Sequence, residues 1–238
     1  MKKKIYELLK LLLCLLFFFF FPNFFVIILN FLGIDVVKFN GIGTATYQFI
    51  ITIIMAFVFA CSYFKEIKKD FKKFFNKNII KNILYIIKMF IIFMLIKYVV
   101  SFISAFIMMA LGFDISNMTS INQSMIEEYV KAAPILMFIT TAILAPIYEE
   151  ILFRIGFKRN IKNRFLFIII SGSLFGLLHI FPLDDGVSLL LGITQSISYV
   201  TMGIVLSYIY IKNDNIFMSI GVHFLNNLIS VIALISML

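Results

Sequence analysis

Long, uninterrupted apolar stretches alternate with short polar connections along most of the chain. Because lipid offers backbone groups no hydrogen-bond partners, a segment that spans a membrane must be a helix or part of a closed barrel. These stretches lack the two-residue alternation of barrel strands, and most approach the ~20 residues that a spanning helix needs. The pattern predicts an all-α, polytopic transmembrane bundle with about seven spans, at residues 8–31, 47–64, 85–111, 134–157, 165–181, 188–211 and 216–237.

Composition excludes a water-soluble protein. The 238 residues are 62% hydrophobic and only 14% charged, whereas soluble domains have about 45–50% apolar and about 25% charged residues. The basic, apolar start at residues 1–20 resembles a signal peptide. Its apolar run is too long, however, and no A-x-A-like cleavage site follows, so we expect a retained span.

Basic residues are concentrated in alternate connections, which predicts the orientation of the chain. Lysines precede the first span, and Lys or Arg residues follow the second, fourth and sixth spans. The opposite connections contain the acidic residues Asp35, Asp114, Glu127, Glu128, Asp184 and Asp185. The positive-inside rule then places the N-terminus in the cytoplasm, and the net charge of +9 needs no nucleic-acid partner. The abundance of Ile, Phe, Lys and Asn is typical of AT-biased coding and favours a bacterial cytoplasmic membrane.

The segment around residues 65–82 differs from the spans. Ile67, Phe71, Phe74 and Phe75 recur at helical spacing, and lysines fill the other face. This pattern is typical of a helix that lies in the headgroup region and binds anionic lipid. We therefore expect N-terminal membrane helices over residues 1–133, with the interfacial helix around residues 65–82, and a separate membrane core over residues 134–238.

Ionisable groups at membrane depth are costly and mark candidate functional sites. Two of them, Lys88 and Lys97, have long side chains that can reach the interface while their stems stay in lipid. The others are less easily explained, and they lie in the fourth, fifth and seventh predicted spans: Glu149, Glu150, Arg154, His179 and His223.

The stretch "IYEEILFR" contains three of these residues. Glu150 and Arg154 are four residues apart, so on a helix they share a face within ion-pair reach. Glu149 points about 100° away from Glu150. One glutamate can therefore be neutralised by the arginine while the other remains for general-base chemistry. The alternative is an ion pair that only holds helices together.

The two histidines each follow a helical pattern with a second residue. His179 ends "FGLLH", with Phe175 one turn earlier, and His223 opens "HFLNN", with Asn227 one turn later. A neutral histidine and an asparagine amide can donate to an oxyanion, although either histidine could instead be a hydrogen-bonded core residue. The chain contains no H-E-x-x-H zinc motif. The small residues of "SGSLFG", residues 171–176, indicate close helix packing rather than a serine nucleophile.

The three motifs together resemble the CPBP family, the CAAX proteases and bacteriocin-processing enzymes that are also called Abi proteins. They are Glu149-Glu150-x-x-x-Arg154, Phe175-x-x-x-His179 and His223-x-x-x-Asn227. They occur in the family's order, on three apolar segments. The resemblance covers about residue 134 to the C-terminus, and nothing before it is diagnostic.

The resemblance implies an intramembrane endopeptidase with a site open to the cytoplasmic side. Glu149 would activate water with help from His179, and the residues His223 and Asn227 would form the oxyanion site. Glu150 and Arg154 would hold the site together. This mechanism needs no cofactor. A zinc mechanism, with Glu149, His179 and His223 as ligands and one open position, is the alternative.

Two functions of other classes compete with this interpretation, and one feature of the predicted topology conflicts with it. A non-catalytic bacteriocin self-immunity or regulatory membrane protein belongs to a different class, as does a transporter or proton pathway. The expected substrate is a membrane-associated protein or a leader-containing peptide. His179 lies about 21 Å along its predicted helix, toward the outer face, whereas Glu149 and His223 lie near the cytoplasmic side.

Overall fold

The computed structural model describes residues 2–76, 78–113, 121–179 and 189–236. Within these ranges every regular element is helical and no strand occurs, so the predicted all-α class is confirmed. A short 3₁₀ turn, Val36–Lys38, lies between the first two long helices. The helices of the described part are α1 Lys2–Phe31, α2 Gly41–Ser62, α3 Phe64–Asn76, α4 Ile79–Ala110, α5 Ile121–Ala132, α6 Pro134–Asn160, α7 Arg164–Leu178, α8 Leu189–Asn213 and α9 Ile216–Ile235.

Five of the described helices are long and apolar enough to cross a membrane, namely α1, α2, α4, α6 and α9. They correspond to the first, second, third, fourth and seventh predicted spans. The fifth and sixth predicted spans fall on α7, which has 15 residues, and α8, which has 25 residues. The chain is thus a multi-pass membrane protein. Its predicted orientation stays a prediction, and the loop acids Asp114, Asp184 and Asp185 lie outside the described residues, as do the predicted span limits 181, 188 and 237.

The described residues form two compact units. Unit 1 comprises Met1–Lys69, Glu127–Lys162 and Phe224–Leu238, and unit 2 comprises Asp70–Ile126 and Asn163–His223. The boundary predicted between residues 133 and 134 separates two parts of the chain by their expected roles, and it stays a prediction.

In unit 1, α6 packs against α1 and α2 through aromatic rings. Tyr148 on α6 lies 6.3 Å from both Phe18 and Phe59, measured between ring centroids. The α1 and α2 helices are also joined by a hydrogen bond in which the Tyr47 hydroxyl donates to the Pro22 carbonyl at 2.8 Å. The two Tyr148 contacts pack the helix that contains the E-E-x-x-x-R motif against both α1 and α2.

In unit 2, α7 and α8 approach each other through glycines. A Cβ at Gly176 would lie 2.2 Å from the Val200 nitrogen, and a Cβ at Gly203 would lie 2.2 Å from the Gly172 carbonyl oxygen. Only glycine permits backbones to meet this closely. The packing role predicted for "SGSLFG" is therefore confirmed, and the contact brings side chains of α8 to the C-terminal end of α7, where His179 lies.

Candidate active site

Glu150 and Arg154 form a complete ion pair in the interior of unit 1. Arg154 donates from Nε to Oε2 and from Nη2 to Oε1, both at 2.9 Å. Both side chains have 0% exposure. A buried guanidinium and carboxylate in this two-bond arrangement satisfy each other's charge. The pairing predicted from the four-residue spacing is present.

Glu149 has a different environment from its neighbour. Its side chain is partly exposed, whereas that of Glu150 is fully buried. The hydroxyl of Tyr148 lies within hydrogen-bonding reach of the Glu149 carboxylate. Arg154 bonds both oxygens of Glu150, while Glu149, which points about 100° away on the helix, lies beside the Tyr148 hydroxyl.

An irregular turn of α6 accounts for the hydrogen bond that the Asn227 side-chain amide makes. Between Phe138 and Leu144 this helix is in the π register, and the Ala145 N–H bonds the Thr140 carbonyl. The Thr141 carbonyl would then pair with residue 146, but Pro146 has no N–H to donate. Asn227 Nδ2 supplies the missing bond at 2.9 Å. A side chain of α9 thus completes the backbone of α6 within unit 1.

Asn226 orients this amide further. Its Nδ2 donates to Asn227 Oδ1 at 3.0 Å, which identifies the other end of the Asn227 amide as the nitrogen that faces Thr141. An amide nitrogen has two hydrogens. One of them is committed to the Thr141 carbonyl, and the second can donate to another acceptor.

Replacing Asn227 by alanine is expected to destabilise the folded state by about 1–3 kcal/mol, because the partly buried Thr141 carbonyl loses its donor. The cost should fall in a Pro146→Ala background, where residue 146 regains an N–H for the preceding turn. The four chains of this double-mutant cycle can be compared by their unfolding midpoints in detergent. An equal cost of Asn227→Ala in both backgrounds would contradict the explanation.

His179 lies just past the end of α7 rather than inside a helix, which corrects the prediction that both histidines lie within helices. Its backbone N–H turns to the Gly176 carbonyl at 3.2 Å, in a tightened last turn. The Phe175 carbonyl instead pairs with His179 Nδ1 at 2.8 Å. Since a carbonyl oxygen only accepts, Nδ1 carries the hydrogen, and in the neutral ring Nε2 carries the lone pair.

Aromatic rings hold both histidines of unit 2. The His179 ring stacks on Tyr199 at 4.8 Å and 17°, and it also contacts the Phe175 ring at 4.6 Å. The buried His223 meets the same Phe175 ring edge to face, at 5.6 Å. Phe175 therefore lies between two histidines that are far apart in the sequence.

The predicted site residues are thus organised within each unit. Glu149, Glu150, Arg154 and Asn227 belong to unit 1, and the histidines belong to unit 2. His223 and Asn227 lie one turn apart on the uninterrupted helix α9. Among the described residues, no group of three His, Cys, Asp or Glu side chains lies close enough together to hold a metal ion.

Sequence reasoning missed four residues that shape these surroundings: Thr141, Pro146, Tyr199 and Asn226. Pro146 could have been recognised, because a proline inside an apolar helix leaves a carbonyl without a donor. Tyr199 shows no local pattern. Its role depends on the close approach of α7 and α8.

Comparison with known proteins gives a match to the part of the chain that contains the three motifs. Residues 131–229 match the family model described as type II CAAX prenyl endopeptidase Rce1-like. The UPF0177 protein YvdC of Lactococcus lactis subsp. lactis (strain IL1403) is 32% identical over 120 residues, which are 49% of this chain. The match spans 42% of the length of that relative. No solved structure matches the chain significantly.

The matched segment contains all three motifs, from Glu149 to Asn227. The resemblance predicted from the motifs is therefore confirmed as a similarity: residues 131–229 of this multi-pass membrane protein are similar to the Rce1-like family.

Proposed function

We propose that the protein is an intramembrane endopeptidase that hydrolyses peptide bonds of a membrane-associated protein or a leader-containing peptide. The observation that carries the proposal is the buried Glu150–Arg154 pair beside the partly exposed Glu149. The helical register turns Glu149 about 100° away from Glu150 and leaves part of its side chain exposed, as a base that activates water requires. The match to a CAAX endopeptidase family supports this choice.

Glu149 is the proposed general base. It removes a proton from water as the oxygen attacks the scissile carbonyl, which forms a C–O bond and a tetrahedral oxyanion. Collapse of this intermediate breaks the C–N bond, and the proton passes to the leaving amine. His179 assists as the neutral ring whose Nδ1–H is held by the Phe175 carbonyl, so that Nε2 can accept a hydrogen bond from the water.

His223 and Asn227 are the proposed oxyanion donors. An asparagine amide retains a second N–H after bonding one carbonyl, which is the case for Asn227 and Thr141. Such donors are effective because they are oriented before the charge develops. The Asn226–Asn227 hydrogen bond supplies this orientation on α9.

A zinc mechanism uses the same residues differently. A histidine whose Nδ1–H bonds a backbone carbonyl is also suited to bind a metal through Nε2, and Glu149, His179 and His223 would be the ligands. We propose the metal-free mechanism because the partly exposed Glu149 and the neutral His179 ring can activate water without a metal. Chelation, treated in the Discussion, distinguishes the two.

The test is a comparison of newly formed peptide termini in membranes from cells that carry the native chain or Glu149→Ala at matched expression. Termini that vanish in the variant would support proteolysis and would also identify the substrate. Identical sets of termini would refute the protease proposal and favour a binding, immunity or regulatory protein. Solute flux through liposomes that contain the purified protein would favour the transporter alternative.

A further inference from the structure

Helix α3, Phe64–Asn76, presents two exposed stripes of different chemistry. One consists of phenylalanines at positions i, i+7 and i+11, and their exposed fractions are high: Phe64 59%, Phe71 50% and Phe75 48%. The other consists of the exposed lysines Lys65, Lys68 and Lys72, which point about 40–100° to one side of the Phe64 direction. At about 100° per residue these stripes are adjacent on the same helix.

Adjacent stripes of phenylalanine and lysine match the boundary of an anionic bilayer. The rings can enter the region between headgroups and acyl chains, while the ammonium groups stay at the level of the phosphates. The helix directly follows α2, which is long and apolar enough to span a membrane. A soluble acidic partner would explain the lysines but not the exposed rings beside them. The surface therefore fits lipid headgroups best.

The opposite face of α3 is fastened to the turn between α8 and α9. Asp70, which is 6% exposed, accepts the Ile216 N–H through Oδ2 at 2.9 Å, and its carbonyl accepts the Asn215 amide at 2.8 Å. The Asp70 carboxylate thus caps the N-terminus of α9 from another helix, where negative charge is favourable. All these contacts lie within unit 2.

Two further contacts strengthen this attachment. Lys73 Nζ donates to the carbonyls of Asn213 and Asp214 at 3.0 Å and 2.7 Å. Phe217 is the second residue of α9. Its ring packs on Phe71 at 5.8 Å and on Phe74 at 5.9 Å, measured between ring centroids. Phe71 therefore belongs to the exposed stripe and also contacts the helix that carries His223.

We propose that α3 docks on anionic lipid headgroups through its phenylalanine and lysine stripes, and that docking holds the start of α9, and with it His223, through Asp70 and Phe71. Lipid docking then constrains the position of His223, because His223 follows Ile216 on α9 by about two helical turns. The proposal concerns membrane binding and does not require proteolysis.

The chain contains no tryptophan, so a single Phe64→Trp substitution gives a unique fluorescent reporter. The full-length protein is reconstituted in liposomes of phosphatidylcholine alone or with phosphatidylglycerol. We expect the indole emission to shift to shorter wavelength with phosphatidylglycerol, and the shift to disappear in the Lys65→Gln/Lys68→Gln/Lys72→Gln variant. The matched control, Lys2→Gln/Lys3→Gln/Lys4→Gln, removes the same charge from exposed positions on α1 and should keep the shift.

Hydrogen exchange of the peptide that contains Ile216 tests the second half of the proposal. The Ile216 N–H should exchange more slowly with phosphatidylglycerol present, and this protection should be lost in the Lys65→Gln/Lys68→Gln/Lys72→Gln variant. Emission that is equal in both lipids would overturn lipid docking and favour an acidic protein partner. An emission shift without a change in exchange would overturn the coupling to α9.

Discussion

Replacing Arg154 by methionine is expected to destabilise the folded protein by about 3–5 kcal/mol, because the Glu150 carboxylate would stay buried after losing both hydrogen bonds from Arg154. Glu150 has 0% exposure and receives two hydrogen bonds from Arg154. The loss is comparable to the whole stability of a marginal domain. It should appear as a large fall in the SDS concentration that unfolds the purified protein in mixed micelles.

The matched control is the double variant Glu150→Leu/Arg154→Met. It removes both charges at once, so no carboxylate remains buried and unpaired, and it should be more stable than Arg154→Met alone. If the double variant is as unstable as the sum of the single variants, the ion pair does not explain the cost. Proteolysis should be weak in both variants if the pair positions Glu149.

Glu149→Gln should lower kcat for a cleaved peptide by about 10²–10⁴-fold, the range that a general base contributes. The amide is nearly the same size as the carboxylate but accepts no proton. Folding should be preserved, because the Glu150–Arg154 pair is unchanged. The measurement is steady-state cleavage by the purified protein, with the peptide identified from the comparison of termini.

Glu128→Gln is the control for this prediction. Glu128 is an exposed acid on α5, outside the three motifs, and its replacement should leave kcat unchanged. Treatment with EDTA and with a membrane-permeant zinc chelator should also leave native activity unchanged on the metal-free mechanism. Activity that is lost on chelation and regained with zinc would replace that mechanism by the zinc alternative. A Glu149→Gln variant with full activity would exclude both.

The helical class and the E-E-x-x-x-R geometry could be predicted because both depend on local chain properties. Backbone groups in lipid must bond within their own segment, which makes long apolar runs helical. The four-residue spacing then brings Arg154 to Glu150 without help from other helices. The end of α7 was less predictable, because apolar character continues past the point where the backbone turns at His179.

The surroundings of the other site residues depended on contacts between distant parts of the chain. Tyr199 reaches His179 because glycines let α7 and α8 touch, and Phe175 contacts both histidines, which lie far apart in the sequence. Asn227 meets Thr141 only because a proline and a π turn leave a carbonyl without a donor.

The sequence by itself therefore determined the membrane class, the order of the motifs and the Glu150–Arg154 pair, all of which follow from helical periodicity and the solvent properties of lipid. The tertiary structure alone decided which carbonyl Asn227 satisfies, which ring stacks on His179 and which carboxylate caps α9. Those choices rest on packing between helices that are far apart in the chain, and no local pattern encodes such contacts.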